Sequence, residues 1–217
     1  GLSRGDAMAL GTAGFTAGLA VVRMEHDGLT PAKGPVIVSG ATGGVGSIAI
    51  EILAKRGYHV VALTGKEAET NYLTGLGAKE VMLRQSLDLA KIKPLGKETW
   101  AGGVDNLGGD VLAWMASTMK VGGTLASIGL AAGFSLNTTV MPFILRGVSL
   151  LGIDSVNCPM AQRAEVWRHL ATDMHPADLA SGSAQMIRDI SFAGLPAAFE
   201  DYIQGRVKGR VVVTIAA

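Results

Sequence analysis

The chain has 217 residues, of which 48% are hydrophobic and 17% are charged, and its formal net charge is +1. A charge this close to zero gives no electrostatic basis for binding nucleic acid or an anionic membrane surface. The single cysteine, Cys158, excludes an internal disulfide and a cysteine-rich zinc site, so we expect a reducing, cytoplasmic setting. The 30 glycines and the low charge content are typical of a buried parallel sheet with many tight turns.

The first segment of the chain is apolar and rich in small residues, and it predicts a helix over residues 6–22. Its uncharged part is shorter than the roughly 20 residues that a membrane span needs, and Gly and Thr interrupt it. A second uncharged stretch, residues 121–145, is broken by glycines, an asparagine and a proline. We therefore expect both to lie in a soluble fold, with no secretory signal. No initiating Met and no opening strand are present, which suggests the middle of a protein.

Apolar runs then alternate with helical patterns. Strands are predicted at residues 36–39, 59–63, 80–83, 103–107, 124–128 and 148–153, and helices at residues 45–56, 67–76, 110–119 and 139–145. This alternation predicts an α/β fold with a doubly wound, six-stranded parallel sheet of the Rossmann type and helices on both faces. In such folds a ligand binds outside the carboxyl ends of the strands.

The alternation stops after residue 153. Two further helices are predicted at residues 161–174 and 195–204, and the stretch GRVVVTI predicts a closing strand. We interpret this segment as the return of the chain to a second domain whose main body is not present. The predicted division is a lead-in helix and linker at residues 1–34, a dinucleotide-binding domain at residues 35–156 and a return segment at residues 157–217.

A glycine-rich stretch, GATGGVG at residues 40–46, lies between the first strand of the sheet and its first helix. Glycine is required where a strand turns sharply into a helix and where a pyrophosphate must come close to the backbone. Gly46 is expected to let the helix pack tightly on the strand. An ordinary glycine-rich turn is the alternative, but the strand before and the helix and strand after favour nucleotide binding.

No acid follows the second strand, where a site for NAD usually has a carboxylate that binds the ribose hydroxyls. Thr64, Gly65 and Lys66 stand there instead, and their hydroxyl, N–H and ammonium groups suit a 2′-phosphate. Arg84, after the third strand, is expected to reach the same phosphate. We therefore predict NADP(H) rather than NAD(H). The alternative is that Lys66 and Arg84 are solvated surface charges.

Several motifs together resemble one family: GTAGFTA at residues 11–17, GATGGVG, LTGK, GLGA at residues 75–78, VMPFILRGVSLLGIDSV at residues 140–156, and GRVVV near the end. They resemble the zinc-independent branch of the medium-chain dehydrogenase/reductases. Within that branch they resemble the acrylyl-CoA reductase group, often provisionally labelled quinone oxidoreductases. The resemblance covers essentially the whole chain. It implies an N-terminal GroES-like domain that forms the other wall of the active-site cleft and that this sequence lacks.

The resemblance also implies the roles of individual residues. It assigns the pyrophosphate to Thr42, Gly43, Gly44, Val45 and Gly46, and the 2′-phosphate of NADP(H) to Thr64, Gly65, Lys66 and Arg84. It places Leu130, Ile144 and Ser155 around the nicotinamide, with Gly205 as a weaker match. Alternatively, Leu130 and Ile144 are core residues and Ser155 is a turn residue. The active-site tyrosine of the family has no counterpart here, so no catalytic residue is predicted.

The implied reaction is hydride transfer from NADPH to the β-carbon of an α,β-unsaturated thioester, with a proton added at the α-carbon. Acrylyl-CoA is the implied substrate, and a quinone or an enone is the alternative. The fragment alone is expected to be inactive. The apolar strand at residues 148–153, without Pro or charge, is expected to pair with its copy in a homodimer.

Two other classes of protein are alternatives to this interpretation. An extended short-chain dehydrogenase needs a Tyr-x-x-x-Lys pair, and none of Tyr58, Tyr72 or Tyr202 has Lys four residues later. A non-catalytic NADP(H)-binding module stays open. Cys158, His169 and His175 lack the tight spacing of a metal-ligand set, so no metal is predicted.

Overall fold

A parallel β-sheet forms the centre of the protein. The structure, a computed structural model, describes residues 1–181 and 185–215. The sheet consists of β1 (Val36–Ser39), β2 (Val60–Thr64), β3 (Glu80–Leu83), β4 (Trp100–Asp105), β5 (Met119–Ser127) and β6 (Ser149–Gly152). Its order is β3-β2-β1-β4-β5-β6, and each neighbouring pair is parallel. The predicted six-stranded Rossmann sheet is confirmed.

Helices cover both faces of this sheet. The helices of the described residues are α1 (Arg4–His26), α2 (Gly44–Lys55), α3 (Thr70–Gly75), α4 (Gly109–Ser117), α5 (Met141–Arg146), α6 (Met160–Leu170), α7 (Ala177–Ser181) and α8 (Leu195–Ile203). Val36 and Val38 of β1 belong to the core cluster that contains α1 and α2, whereas Ile37 belongs to the cluster that contains α4. Successive side chains of a strand point to opposite faces, so the apolar strands require a helical layer on each side.

Helix α1 extends beyond both ends of the predicted segment, residues 6–22. Ser3 and Asp6 form a capping box at its start, and Gly11, with φ 48°, introduces a kink. The helix is long and apolar enough to cross a membrane by length and composition, but 72% of its most apolar window is buried in the fold. Burial on most sides is typical of a core helix.

The last part of the described chain contains a separate, two-stranded sheet. β7 (Ile187–Ser191) and β8 (Arg210–Thr214) pair in parallel, separately from the large sheet, and α8 connects them. The closing strand and α8 were predicted. β7 and α7 were not, because β7 has charged residues between its isoleucines. Val166 and Leu170 of α6 share a core with α1, and the predicted domain division at residue 157 stays a prediction.

Other boundaries differ from the predicted ones by a few residues. The helix predicted at residues 67–76 is a 3-10 turn, Glu67–Glu69, followed by the short α3. β4 ends at Asp105, two residues earlier than predicted, and β5 begins at Met119, five residues earlier. β6 is the edge strand of the large sheet, as predicted.

Arg146, inside the most specific sequence motif, holds three segments together. Its guanidinium donates to the carbonyl oxygens of Gly96 at 2.6 Å, Ser117 at 2.8 Å and Met119 at 3.0 Å. Ser117 is the last residue of α4, where carbonyl groups have no partner within the helix. Arg146 therefore ties α5 to the end of α4 and the start of β5.

Glu51 lies buried on α2, and its Oε1 accepts the backbone N–H of Asp178 at 3.0 Å. Its other carboxyl oxygen, Oε2, has no hydrogen-bond partner. Burial, together with the charge of Asp178, raises the pKa of Glu51 to about 7. The fold therefore favours the neutral carboxyl group, whereas the unfolded chain ionises this group near pH 4.5.

The folded protein should lose stability as the pH rises from about 4.5 to about 7, since Glu51 ionises in the unfolded chain first. Glu51→Gln should remove this loss, making the change in unfolding free energy from pH 5 to pH 8 smaller by about 1–3 kcal/mol. Urea titrations at each pH measure it. Glu67→Gln, at an exposed position, is the control. Identical pH profiles for the unmutated chain and Glu51→Gln would contradict this account.

Candidate functional site

The loops after β1, β2, β4 and β5 meet at the carboxyl edge of the sheet and enclose two adjoining clefts. The Lys66 cleft, of about 500 Å³, and the Leu130 cleft, of about 380 Å³, are named for a residue in each. They share Gly40, Gly43, Asn106 and Ala131. The order of strands reverses between β1 and β4, and this switch point is where doubly wound folds bind ligands.

The glycine loop, residues 40–46, forms the wall between the two clefts. Gly40 has φ +58°, a conformation that side chains disfavour, and a Cβ on Gly46 would lie 2.5 Å from the carbonyl oxygen of Gly40. Gly46 was expected to let the helix pack tightly on the strand, but the close contact is with Gly40 and Ala41 of the loop itself. The first N–H that bonds along α2 is that of Ser47, to Gly43. The N–H groups of the preceding helical residues have no acceptor within the helix, an arrangement that suits an anion.

Arg210, the first residue of β8, lies beside this helix start. A Cβ on Gly44 would lie 3.1 Å from its Nη1, and its Nε donates to the carbonyl oxygen of Ala9 at 2.7 Å. The backbone is held there too, since Gly209 donates its N–H to the carbonyl of Thr42 at 2.8 Å. Burial lowers the pKa of Arg210. A guanidinium next to the positive end of a helix dipole is unfavourable, and an anion between them would offset that repulsion.

The Lys66 cleft contains the cationic residues predicted from the sequence. Thr64 ends β2, and its hydroxyl oxygen accepts the N–H of Lys66 at 3.0 Å, which fixes the turn. Lys66 donates from Nζ to the carbonyl of Val207 at 2.8 Å, and burial lowers its pKa. The guanidinium of Arg84 faces Gly65, within 4 Å of where a Cβ would be. Lys66 and Arg84 thus line the same cleft.

A buried hydrogen-bonded group lies beneath both clefts, and we call Ser39, Asp105 and Asn106 the Ser39 cluster. Ser39 donates from Oγ to Asp105 at 2.6 Å, and neither residue has exposed surface. The N–H of Asn106 donates to Ser39 Oγ at 3.0 Å, and its side-chain amide donates to the Ser39 carbonyl at 2.7 Å. Burial raises the pKa of Asp105, and its hydrogen bonds oppose that rise. The cluster joins the ends of β1 and β4 at the switch point.

The structure brings most of the predicted residues to these clefts. The Lys66 cleft is lined by Thr42, Gly43, Thr64, Gly65, Lys66, Arg84 and Gly205, and the Leu130 cleft by Gly43, Gly44, Val45, Gly46 and Leu130. Ile144 and Ser155 line neither cleft. Leu130 is 68% exposed and Ile144 is 72% exposed, so the alternative that they are core residues is wrong. Ser155 lies in a bend, where its carbonyl accepts Arg163.

Several residues that line the clefts were not predicted, Asn106 and Val207 among them, and neither was Arg210. Asn106 follows a strand whose end was placed too late in the sequence. Val207 and Arg210 come from the tail of the chain, more than 140 residues from the glycine loop. The arginine of the motif GRVVV was the one available signal.

Comparison with known proteins identifies the family. Residues 44–172 match the family described as zinc-binding dehydrogenase. The chain belongs to this family. Acrylyl-CoA reductase AcuI of Ruegeria pomeroyi is 49% identical over 217 residues, which are 100% of this chain and 64% of that protein. The resemblance found in the sequence motifs is thereby confirmed.

Two solved structures are similar to this chain in both sequence and fold. The yhdH oxidoreductase from Salmonella enterica, in complex with NADP, is 46% identical with a TM-score of 0.93, covering 99% of this chain and 64% of that one. Bacillus subtilis yhfP, with NAD bound, is 49% identical with a TM-score of 0.92, covering 98% and 64%. That protein is provisionally named a quinone oxidoreductase. The chain thus spans 64% of the length of these relatives.

The family name raises the question of zinc. Within residues 1–181 and 185–215, no group of three or more His, Cys, Asp or Glu side chains is arranged to hold a metal ion. Structural and catalytic zinc sites in proteins use three or four such ligands. The described residues therefore do not fit a zinc ion, and we assign no metal ligand.

Proposed function

We propose that this chain is the nucleotide-binding part of an NADPH-dependent oxidoreductase that reduces the C=C bond of an α,β-unsaturated thioester such as acrylyl-CoA. One observation carries the proposal: two clefts adjoin at a glycine loop, and the cleft at the end of β2 is lined by Lys66 and Arg84. The 49% identity to an acrylyl-CoA reductase supports the substrate class.

The residues at the carboxyl edge fit NADP(H). At Gly46 a Cβ would collide with the carbonyl oxygen of Gly40, so a larger residue would push the glycine loop away from the start of α2. Thr42 to Gly46 and Arg210 would hold the pyrophosphate, since free N–H groups and a guanidinium converge there. Thr64, Gly65, Lys66 and Arg84 would hold the 2′-phosphate, with Gly205 beside them. A relative that is 46% identical was crystallised in complex with NADP.

The other end of the dinucleotide would lie in the Leu130 cleft. Bound NADPH supplies the hydride for the reduction. Leu130 offers an apolar surface there, against which the reacting end would be shielded from water. Ile144 and Ser155 remain candidates for that region through the resemblance alone. We name no catalytic residue, because no described side chain at the Leu130 cleft is a proton donor.

Two alternatives belong to the same proposal. A quinone or an enone is the alternative acceptor, supported by the provisional name of the Bacillus subtilis relative. A non-catalytic NADP(H)-binding module is the other. We also propose a cytoplasmic location from the single, free Cys158, and a return of the chain to a second domain after residue 157.

NADPH should bind more tightly than NADH, by about tenfold or more, because charged hydrogen bonds contribute about 1.5–3 kcal/mol each. The double variant Lys66→Ala, Arg84→Ala should abolish the difference. The double variant Lys79→Ala, Lys97→Ala is the charge-matched control, since both lysines precede strands and lie at the opposite edge of the sheet. Fluorescence titration measures the six affinities, those of the three proteins for NADPH and for NADH. Equal affinities of the unmutated chain for NADPH and NADH would refute the assignment.

The 217 residues alone should bind NADPH and melt at a higher temperature with it, because a ligand that binds only the folded state stabilises it. They should reduce acrylyl-CoA very slowly or not at all, because the relatives' remaining length would orient the enoyl group and exclude water. Thermal scans and a steady-state assay with acrylyl-CoA and a quinone test both points. Efficient reduction by these residues would show that the catalytic groups lie within them.

We further propose a homodimer through the strand at residues 148–153. β6 is the edge of the sheet, and Leu150 on it is 36% exposed. Exposed apolar side chains on neighbouring segments, Val140, Ile144 and Leu145, extend this surface. An open apolar edge favours pairing with another strand.

Leu150→Lys should halve the apparent mass in light scattering, because a paired edge would bring two lysines close to the two-fold axis. Val121→Lys, at a position 69% exposed and outside this strand, is the matched control and should leave the mass unchanged. A monomeric unmutated chain at high concentration would rule out the dimer.

A further inference from the structure

The loops after β4 and β5 are packed directly against each other beneath the two clefts. The N–H groups of Ile128 and Gly129 both donate to the carbonyl of Asp105, at 2.9 and 3.2 Å. A side chain on Gly129 would collide with the carbonyl oxygen of Asn106. Farther along, Ala132 donates its N–H to Leu107 at 2.8 Å. The loop that leads into Leu130 therefore has its position set by Asp105 and Asn106.

The same two residues fix the glycine loop from the other side. Ser39 immediately precedes Gly40, and it bonds to Asp105 and Asn106 through both its hydroxyl and its carbonyl. A Cβ on Gly40 would lie 3.1 Å from Cβ of Asn106. The Ser39 cluster is thus in contact with the walls of both clefts, while Ser39 itself is fully buried.

We propose that the Ser39 cluster is a positioning device that holds the Lys66 cleft and the Leu130 cleft in register, so that a single dinucleotide can occupy both. This inference rests on the proposed function. It assigns Ser39 and Asp105 the role of positioning residues, since neither has surface to offer a ligand. Asn106 lines both clefts and lies at the boundary between them.

Alignment of the two clefts matters because a dinucleotide consists of two covalently linked halves, each of which would bind one cleft. Binding of the second half is intramolecular, and this gain is lost if the two subsites cannot be reached at once. A displacement of about 1 Å between the clefts would strain a ligand that spans them. A ligand confined to one cleft would be unaffected, because its own contacts stay intact. Misalignment therefore weakens NADPH selectively.

The test compares NADPH with adenosine 2′,5′-bisphosphate, a fragment expected to reach the Lys66 cleft alone. Calorimetry gives both dissociation constants for the unmutated chain and for Ser39→Ala. Ser39→Ala should weaken NADPH about tenfold and the bisphosphate less than about twofold. Ser117→Ala is the matched control: Ser117 is a buried serine whose Oγ donates to Trp114 at 2.9 Å, at the far end of α4. It should change neither affinity.

If Ser39 had a purely structural role, Ser39→Ala would lower the melting temperature and leave the ratio of the two affinities unchanged. That result would overturn this inference but not the proposed function. Ser39→Thr keeps the hydroxyl and should have the same ratio of NADPH affinity to bisphosphate affinity as the unmutated chain. If Ser39→Ala does not fold, Asn106→Ala removes one link of the cluster and should shift the ratio in the same direction. This inference would also be overturned if the unmutated chain bound the bisphosphate but did not bind NADPH more tightly than the bisphosphate. One that binds neither would overturn the proposed function with it.

Discussion

The burial of one carboxylate, that of Asp105, governs the arrangement of the whole carboxyl edge. Removing a charge from water costs several kcal/mol, and only close hydrogen bonds offset that cost. Asp105 accepts from the hydroxyl of Ser39 and from the N–H groups of Leu107 and Gly108. Because these donors come from two neighbouring strand ends, neither loop can move without leaving part of the charge unpaired. Movement of either loop therefore carries this penalty.

Among the described residues, the cationic side chains at the carboxyl edge have no hydrogen-bonded partner of opposite charge. Lys66 and Arg84 line one cleft, and Arg210 lies beside the start of α2. Burial lowers the pKa values of Lys66 and Arg210, so the fold bears a cost for keeping both charged. A polyanion would remove that cost by pairing with all three groups. The edge is therefore less stable empty than it would be with a ligand, a common compromise at binding sites.

The sequence predicted those parts of the molecule that depend on local pattern. The succession of strand, glycine loop, helix and strand from Val36 to Lys66 is visible in the order of residues, since each step has its own periodicity or turn chemistry. The proximity of Lys66 and Arg84 followed from the geometry of parallel strands. Arg210 and Val207 could not be placed this way. Their position depends on how the end of the chain packs on α1 and on the glycine loop, and no local pattern encodes that packing.

Under the proposed function, affinity for a dinucleotide and preference between NAD and NADP would rest on different residues. The glycine loop, Arg210 and the Ser39 cluster would act on the pyrophosphate and on the alignment of the halves, which NAD and NADP have in common. Among the described residues, the end of β2 and the residue after β3 are the ones that we propose for the 2′-phosphate. A relative 49% identical to this chain was crystallised with NAD, and another 46% identical with NADP. Occupancy by either cofactor is thus compatible with one scaffold, and specificity is the difference between two affinities. That difference should change with Lys66 and Arg84 while the scaffold stays the same.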